Sequence, residues 1–258
     1  PRVYPSGDIT LPSTNYREFK NYLGSSYAPS RNNSSIPTAN WVALGPTGTV
    51  SNGDFSGAAR VNFLRFDPVN SDIMWTGSPL GRLWKSIEGG LNWTSNTDDL
   101  PIIGCSDIAI NPHNSQIMYL ATGDANGVGS QLTIASIGIL KSTDGGITWP
   151  PNSNTMNWEV SWGRNIYKLL IHPTNPDTVY AATTNGVYRT INAGTNWIKM
   201  NDGQFTDIEF KPGNPNTIYA AAGVHSGGSF YKSIDAGLTF TQITDNLPAS
   251  NTVARFEI

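Results

Sequence analysis

The chain is poor in charge and has almost no cysteine. Lys, Arg, Asp and Glu make up 14% of its 258 residues, against about 25% in an ordinary soluble domain. Its 16 basic and 19 acidic residues leave a net charge of -3. That balance argues against nucleic acid as a partner, which calls for a basic face. The single cysteine, Cys105, excludes a disulfide framework and a cysteine-based zinc site. His113, His172 and His225 show no ligand spacing, so no catalytic zinc or other metal is expected. No G-x-S-x-G elbow or Walker-type loop appears, and no cofactor is expected. No run of 18 apolar residues exists, so no helix is expected to span a membrane. Aromatic residues, by contrast, are plentiful: 8 Trp, 10 Tyr and 9 Phe can fill a sizeable core. The 26 Gly and 17 Pro are spread as turn residues and form no low-complexity tract.

An internal repeat organises the chain. Ser86-Ile-Glu88-Gly-Gly90-Leu-Asn-Trp93 returns as Ser142-Thr-Asp144-Gly-Gly146-Ile-Thr-Trp149. It returns again as Thr190-Ile-Asn192-Ala-Gly194-Thr-Asn-Trp197 and as Ser233-Ile-Asp235-Ala-Gly237-Leu-Thr-Phe240. Each copy follows a short apolar run, a Pro/Asn turn and a second run, such as Asp107–Pro112 then Gln116–Gly123. A third run carries Leu-Trp-Lys-Ser, Leu-Lys-Ser, Val-Tyr-Arg-Thr or Tyr-Lys-Ser, and a fourth begins at the repeat aromatic. Each period therefore predicts four antiparallel strands, a to d. Sheets of this kind recurring every 43 to 56 residues predict an all-β fold, the blades of a β-propeller with strand a innermost. About four blades and part of a fifth are expected. In the repeat turn the acid accepts backbone N–H groups and the glycine supplies positive φ, so all four copies read as structural. Asn192 can cap such a turn, whereas Glu88 is too long to do so as well.

These octapeptides resemble the Asp-box, or BNR repeat, found in sialidases, Vps10/sortilin propellers, family 74 xyloglucanases and plant photosystem II assembly factors. The cadence covers roughly residues 60–258 and most resembles large secreted propellers of the Bacteroidetes, many of them type IX secretion substrates. The resemblance implies a location outside the cell or on its surface. It also implies an outer-membrane or secretion-system partner, and Asp-boxes that lie away from any catalytic centre.

In a propeller the a–b and c–d turns share one face, and the b–c and d–a connections share the other. The insertions fall on the second face: 123–138, 150–164 and 223–229. Function gathers on loops held by a rigid scaffold, so a partner protein or polysaccharide is expected there. Trp158, Glu159, Trp162 and Arg164 are the leading ligand-binding candidates, because two rings beside a carboxylate and a guanidinium can stack on a sugar or grip a peptide. Packing of the tryptophans onto the blade is the structural alternative. Asp124 and Asn126, among glycines, hint at calcium without the full ligand spacing. His225 stands alone in a Gly-rich loop, and it and Asp124 complete the ligand-binding candidates.

A glycoside hydrolase needs two opposed carboxylates. The sialidase Phe-Arg-Ile-Pro signature is replaced by Ala58-Ala-Arg60-Val-Asn-Phe63. The loop that carries a catalytic Asp in family 74 reads Thr76-Gly-Ser-Pro-Leu-Gly81, without an acid. No catalytic residue is therefore assigned. The expected function is a non-catalytic, secreted or cell-surface binding scaffold. The alternatives are a sialidase- or xyloglucanase-type hydrolase with residues elsewhere, and a spacer or adhesin module. Residues 1–40 form a lead, with a helix at 15–23 and a linker at 25–40. Residues 41–258 form the propeller, with a d-like strand at 41–46 and an a-like strand at 253–258. The strand count predicts a segment of a longer polypeptide.

Overall fold

The computed structural model describes residues 60–258 apart from 96, 98–99, 101–103, 126–133, 151–152, 162, 224–226, 250–251, 254 and 257. They fall within one compact unit, Ala59–Ile258. The helix at 15–23, the linker at 25–40 and the strand at 41–46 lie outside the described residues.

Alternating apolar residues and Pro-containing turns produce four antiparallel sheets of four strands each. The first holds β1 (Phe63–Phe66), β2 (Met74–Gly77), β3 (Leu83–Ser86) and β4 (Thr94–Ser95). The second holds β5 (Cys105–Ile110), β6 (Met118–Thr122), β7 (Ser136–Ser142) and β8 (Asn154–Ser161). The third holds β9 (Ile166–Ile171), β10 (Val179–Thr183), β11 (Gly186–Thr190) and β12 (Ile198–Asn201). The fourth holds β13 (Phe205–Lys211), β14 (Asn214–Ala222), β15 (Ser229–Ser233) and β16 (Thr241–Ile243). Each sheet pairs its strands in sequence order. This is the expected blade, a to d.

The first turn of each of three blades is built by the residue before proline. Asp67 Oδ1 accepts the N–H groups of Val69 and Asn70 at 2.8 and 3.1 Å. Asn111 Oδ1 accepts those of His113 and Asn114 at 2.9 and 3.2 Å. His172 Nδ1 takes those of Thr174 and Asn175 at 3.3 and 3.1 Å. A short acceptor therefore closes the turn while proline fixes φ. His172 is a turn residue, with its pKa lowered by burial and by the nearby Arg189.

Successive sheets bury a core between them. Phe63, Trp75 and Leu83 of the first meet Ile108, Met118 and Leu140 of the second. Ile139 and Met156 meet Ile166 and Val179 in the next seam, and Tyr180 and Val187 meet Phe205 and Ile218 in the last. Full burial of each such side chain contributes about 1.5–3 kcal/mol, so the seams between blades carry the fold. The repeat aromatic belongs to them: Trp149 lies in the first seam, with Trp197 and Phe240 packed against the later two.

Two segments differ from expectation. The stretch 150–164, expected as a d–a connection, instead carries β8. Pro150 and Pro151 have no N–H for a ladder, so pairing is delayed to Asn154 and its partner Leu140. At 253–258 no strand pairing occurs among the described residues. Val253 instead accepts the Gly228 N–H at 2.9 Å, and Phe256 lies edge-on to Phe230 at 6.2 Å.

Candidate functional site

The repeat turns are closed units. Ser142 Oγ accepts the Gly146 N–H at 2.9 Å and donates to Asp144 Oδ1 at 2.7 Å, and that oxygen accepts the Thr148 N–H at 3.0 Å. Ser233, Asp235, Gly237 and Thr239 repeat the pattern at 2.9, 2.7 and 3.0 Å. Burial works to raise the Asp144 carboxyl, but the Thr148 and Ser142 bonds outweigh it and bring it down to about 2. The Thr239 hydroxyl, the Thr239 amide and Ser233 hold Asp235 at about 2. Asn192 Oδ1 takes the same role, accepting from Thr190 Oγ1 and the Asn196 N–H, each at 2.9 Å. Glu88 takes the Asn92 side-chain amide at 2.6 Å instead, while Ser86 Oγ keeps the Gly90 N–H at 2.9 Å. In all four turns the acid or amide at the third position is thus engaged within its own turn.

Among the loop-face candidates, the described side chains are those of Trp158, Arg164 and Asp124. Trp158 sits on β8, half-buried against the second seam, edge-on to Tyr188 at 6.5 Å. That is packing, with the ring on a strand and not in a loop. Glu159 shares the strand, and its side chain lies outside the described residues, as do Trp162, Asn126 and His225. Arg164 is exposed, and its N–H donates to Ser161 Oγ at 3.1 Å. Asp124 is 1% exposed and is ion-paired with Arg60. Its backbone bridges to Ile134. Among the described residues no group of three His, Cys, Asp or Glu could hold a metal ion. Cys105 is buried, and burial pushes its thiol up to about 12, so it is no nucleophile.

A different surface is better formed. The inner strands β1, β5 and β9 stand side by side, and at their a–b end they enclose a depression of about 250 Å³. Its floor is Ile108, Ala109 and Leu169, and its walls include Phe66, Ile110 and Leu170. Pro68, Pro112 and Pro173, one from each a–b turn, form its rim. Phe66 is 55% exposed beside this apolar surface. Its volume lies just under the ~300–1,000 Å³ of enclosed small-molecule pockets. A smaller hollow of about 100 Å³ lies on the loop face of the fourth sheet, between Phe230, Ile243, Leu247 and Phe256.

A ladder of charge crosses the inner strands, and its first member, Arg65, also lines the groove. Arg65 Nη2 donates to Asp107 Oδ1 at 2.9 Å, and Asp107 Oδ2 accepts the Leu169 N–H at 2.9 Å. Lys168 Nζ donates to Asp207 Oδ1 at 2.7 Å and also to Glu209. Burial raises the Asp107 carboxyl, opposed by Arg65 and by the amides of Leu169 and Ile108. Burial lowers Lys168, but its bonds to Asp207 and Glu209 outweigh that and raise it. Each charge is thus neutralised across a blade boundary, which fixes neighbouring inner strands at one separation. The groove needs residues from three blades some 40 to 60 positions apart. Its one local signal is the recurring apolar-x-Pro ending of strand a: Phe66-Asp-Pro68, Ile110-Asn-Pro112 and Ile171-His-Pro173.

No protein-family profile matches this chain, and no curated protein matches it. Solved structures do. An ancestral GH74 enzyme aligns with a TM-score of 0.60 and 22% identity, over 74% of this chain and 26% of that one. The GH74 enzyme of Niastella koreensis aligns with a TM-score of 0.54 and 22% identity, over 69% of this chain and 28% of that one. YCF48 bound to D1 peptide aligns with a TM-score of 0.51 and 14% identity, over 74% of this chain and 57% of that one. The fold is a β-propeller. The chain spans about a quarter of the length of the two GH74 enzymes.

Proposed function

We propose that the chain is a non-catalytic binding scaffold, secreted or held at the cell surface, which receives an extended peptide in the groove across β1, β5 and β9. The observation that carries this reading is the groove itself. It is an open, mainly apolar trough with a half-exposed phenylalanine and the Arg65 side chain along it, rimmed by three proline turns. An extended segment can lay alternate apolar side chains into such a trough, whereas a polysaccharide would ask for more polar partners. That YCF48 is solved bound to a peptide on a propeller of the same fold supports the choice. The proposed face is the one with the a–b turns, opposite to the loop face that the insertions favour.

The GH74 likeness raises hydrolysis as a second reading. Against it stands the engagement of the interior acids. Asp107, Asp124 and Asp207 are held by Arg65, Arg60 and Lys168. A glycosidase pair must be open to the same bond.

The test is binding by the whole chain to an array of extended peptides and to a panel of soluble polysaccharides. A central aromatic contact contributes about 2 kcal/mol or more. Phe66→Asp should therefore weaken peptide capture at least ~30-fold, while Arg164→Ala leaves it unchanged. Release of sugar from xyloglucan or sialosides, or capture indifferent to Phe66→Asp, would overturn the proposal.

A further inference from the structure

The rim turns of the groove share one plan but not one acceptor. Asp67-Pro-Val-Asn70, Asn111-Pro-His-Asn114 and His172-Pro-Thr-Asn175 stand at the same place in three blades. In each, the first side chain accepts the N–H groups two and three residues further on. Asp67 and Asn111 accept with an oxygen. His172 accepts with Nδ1, at 3.3 Å from the Thr174 nitrogen and 3.1 Å from the Asn175 nitrogen. A ring nitrogen accepts only while it carries no proton, so this His172 is neutral, with its hydrogen on Nε2. The charged imidazole has two donors and no acceptor. Protonation therefore sets an Nδ1–H against two backbone N–H groups and leaves both without their partner. The amide of Asn111 takes up no proton and keeps its acceptor.

The turn that His172 closes is part of the groove. Ile171 and Pro173, on either side of it, line the trough. The Pro173 carbonyl accepts from His113 Nε2 at 2.7 Å, which ties the third rim turn to the second. Facing His172 are the nearby Arg189 of β11, His113 of that second turn, and the Phe210 ring of β13, edge-on at 5.5 Å. His113 donates to a carbonyl, so it keeps its bond whether neutral or charged. Burial and the Arg189 guanidinium both disfavour a charged His172 and hold its pKa below the usual histidine value. A histidine kept neutral by the fold contributes stability above about pH 6.5, and that stability is lost as pH falls through its lowered pKa.

We propose, on the reading of the groove as a peptide seat, that His172 is an acid-sensitive catch on its rim. Neutral, it holds the third turn closed and Pro173 in place. Protonated, it releases that turn, and the wall formed by Ile171 and Pro173 no longer grips the peptide. Binding is thereby coupled to the proton concentration through one side chain that does not itself line the trough. Asp107, bonded to Arg65 of the groove lining, also has its carboxyl raised by burial. Variants at position 172 separate the two groups, because Asp107 is common to all of them.

The chain has three histidines, so isotope labelling of histidine in the whole chain resolves each ring by NMR. Between about pH 7.5 and pH 5 the His172 ring should pass from the Nε2–H form to the doubly protonated form. The Thr174 and Asn175 N–H groups should lose their protection from exchange at the same midpoint. Capture of an array-selected peptide should fall about 10-fold or more over that range, as expected for the loss of two backbone hydrogen bonds. His172→Asn restores the acceptor that Asn111 supplies in the second blade, and its capture should hardly differ between the two pH values. His172→Ala has no acceptor, and its capture should be weak at both. An Nδ1–H ring at neutral pH would overturn the inference. Amides indifferent to protonation would do the same, as would an equal loss of capture on acidification in His172→Asn. The spectra need no ligand, so a chain that captures no peptide at pH 7.5 sinks the groove reading alone, and the spectra still decide the catch.

Discussion

Gly146→Ala is the sharpest perturbation of a blade seam. Gly146 has φ of +73°, and a Cβ built there would lie 2.4 Å from Trp75 Cη2 in the preceding blade. Trp75 is 0% exposed and Lys85 covers its ring, so the indole has nowhere to retreat. Placing an L-residue in the left-handed region costs about 1–2 kcal/mol. Overpacking the seam adds about 1–3 kcal/mol. The sum, about 2–5 kcal/mol, is a large part of the ~5–15 kcal/mol by which a domain is stable. Gly213→Ala is the matched control: φ is +76° and nothing lies within 4 Å of the added carbon, so only the backbone cost of about 1–2 kcal/mol applies. Urea unfolding followed by tryptophan fluorescence reads the difference. With a urea dependence of about 2–3 kcal/mol per molar, Gly146→Ala should lower the midpoint by about 1–2 M and Gly213→Ala by about 0.5 M. Equal shifts would show that the seam yields freely, and would refute the claim that blade contacts carry the stability.

The Asp144 and Asp235 carboxyls titrate at about 2 in the fold, below the ~3.9 of a free Asp. Their stabilisation is present above pH ~4 and is lost as pH falls toward 2. Melting temperature should therefore drop over that window, and less steeply in Asp144→Asn/Asp235→Asn; identical profiles would remove these turns as the cause. Glu88→Asp should let the acid reach the Asn92 N–H that Glu88 misses. A gain of about 0.5–1 kcal/mol would raise the melting temperature by ~1–4 °C, and a lower value would contradict this role of a short acid in the turn. Cys105, with its thiol pushed up to about 12 by burial, should ignore Ellman's reagent at pH 8 until urea unfolds the chain. Rapid labelling of the folded protein would show that the first seam is open.

Local chemistry made much of the fold legible. A strand ending in apolar-x-Pro, a hydroxyl two residues before an acid and a glycine two after it each act within one turn. Those signals located all four blades and their strand order. They failed at β8, where Pro150 and Pro151 displace the strand from the repeat aromatic, so Trp158 was expected in a loop and lies on a ladder. The groove was not legible, because Phe66, Ile110 and Leu170 meet only when three blades stand together. The bonds between blades were half legible: Lys85 and Lys141 were visible in the strand c runs, but their acceptors Gly145 and Ala193 lie 60 and 52 residues further on. Repeats expose what each blade does for itself, and hide what it does for its neighbour.

The proposed partner seat is the a–b face and not the loop face. Hydrogen exchange of the whole chain, with and without a peptide selected on the array, tests this most directly. Protection is expected at 63–68, 107–112 and 168–173, where β1, β5 and β9 run into their proline turns. Protection confined to 123–138, 154–164 and 223–229 would contradict the account and return the site to the inserted loops.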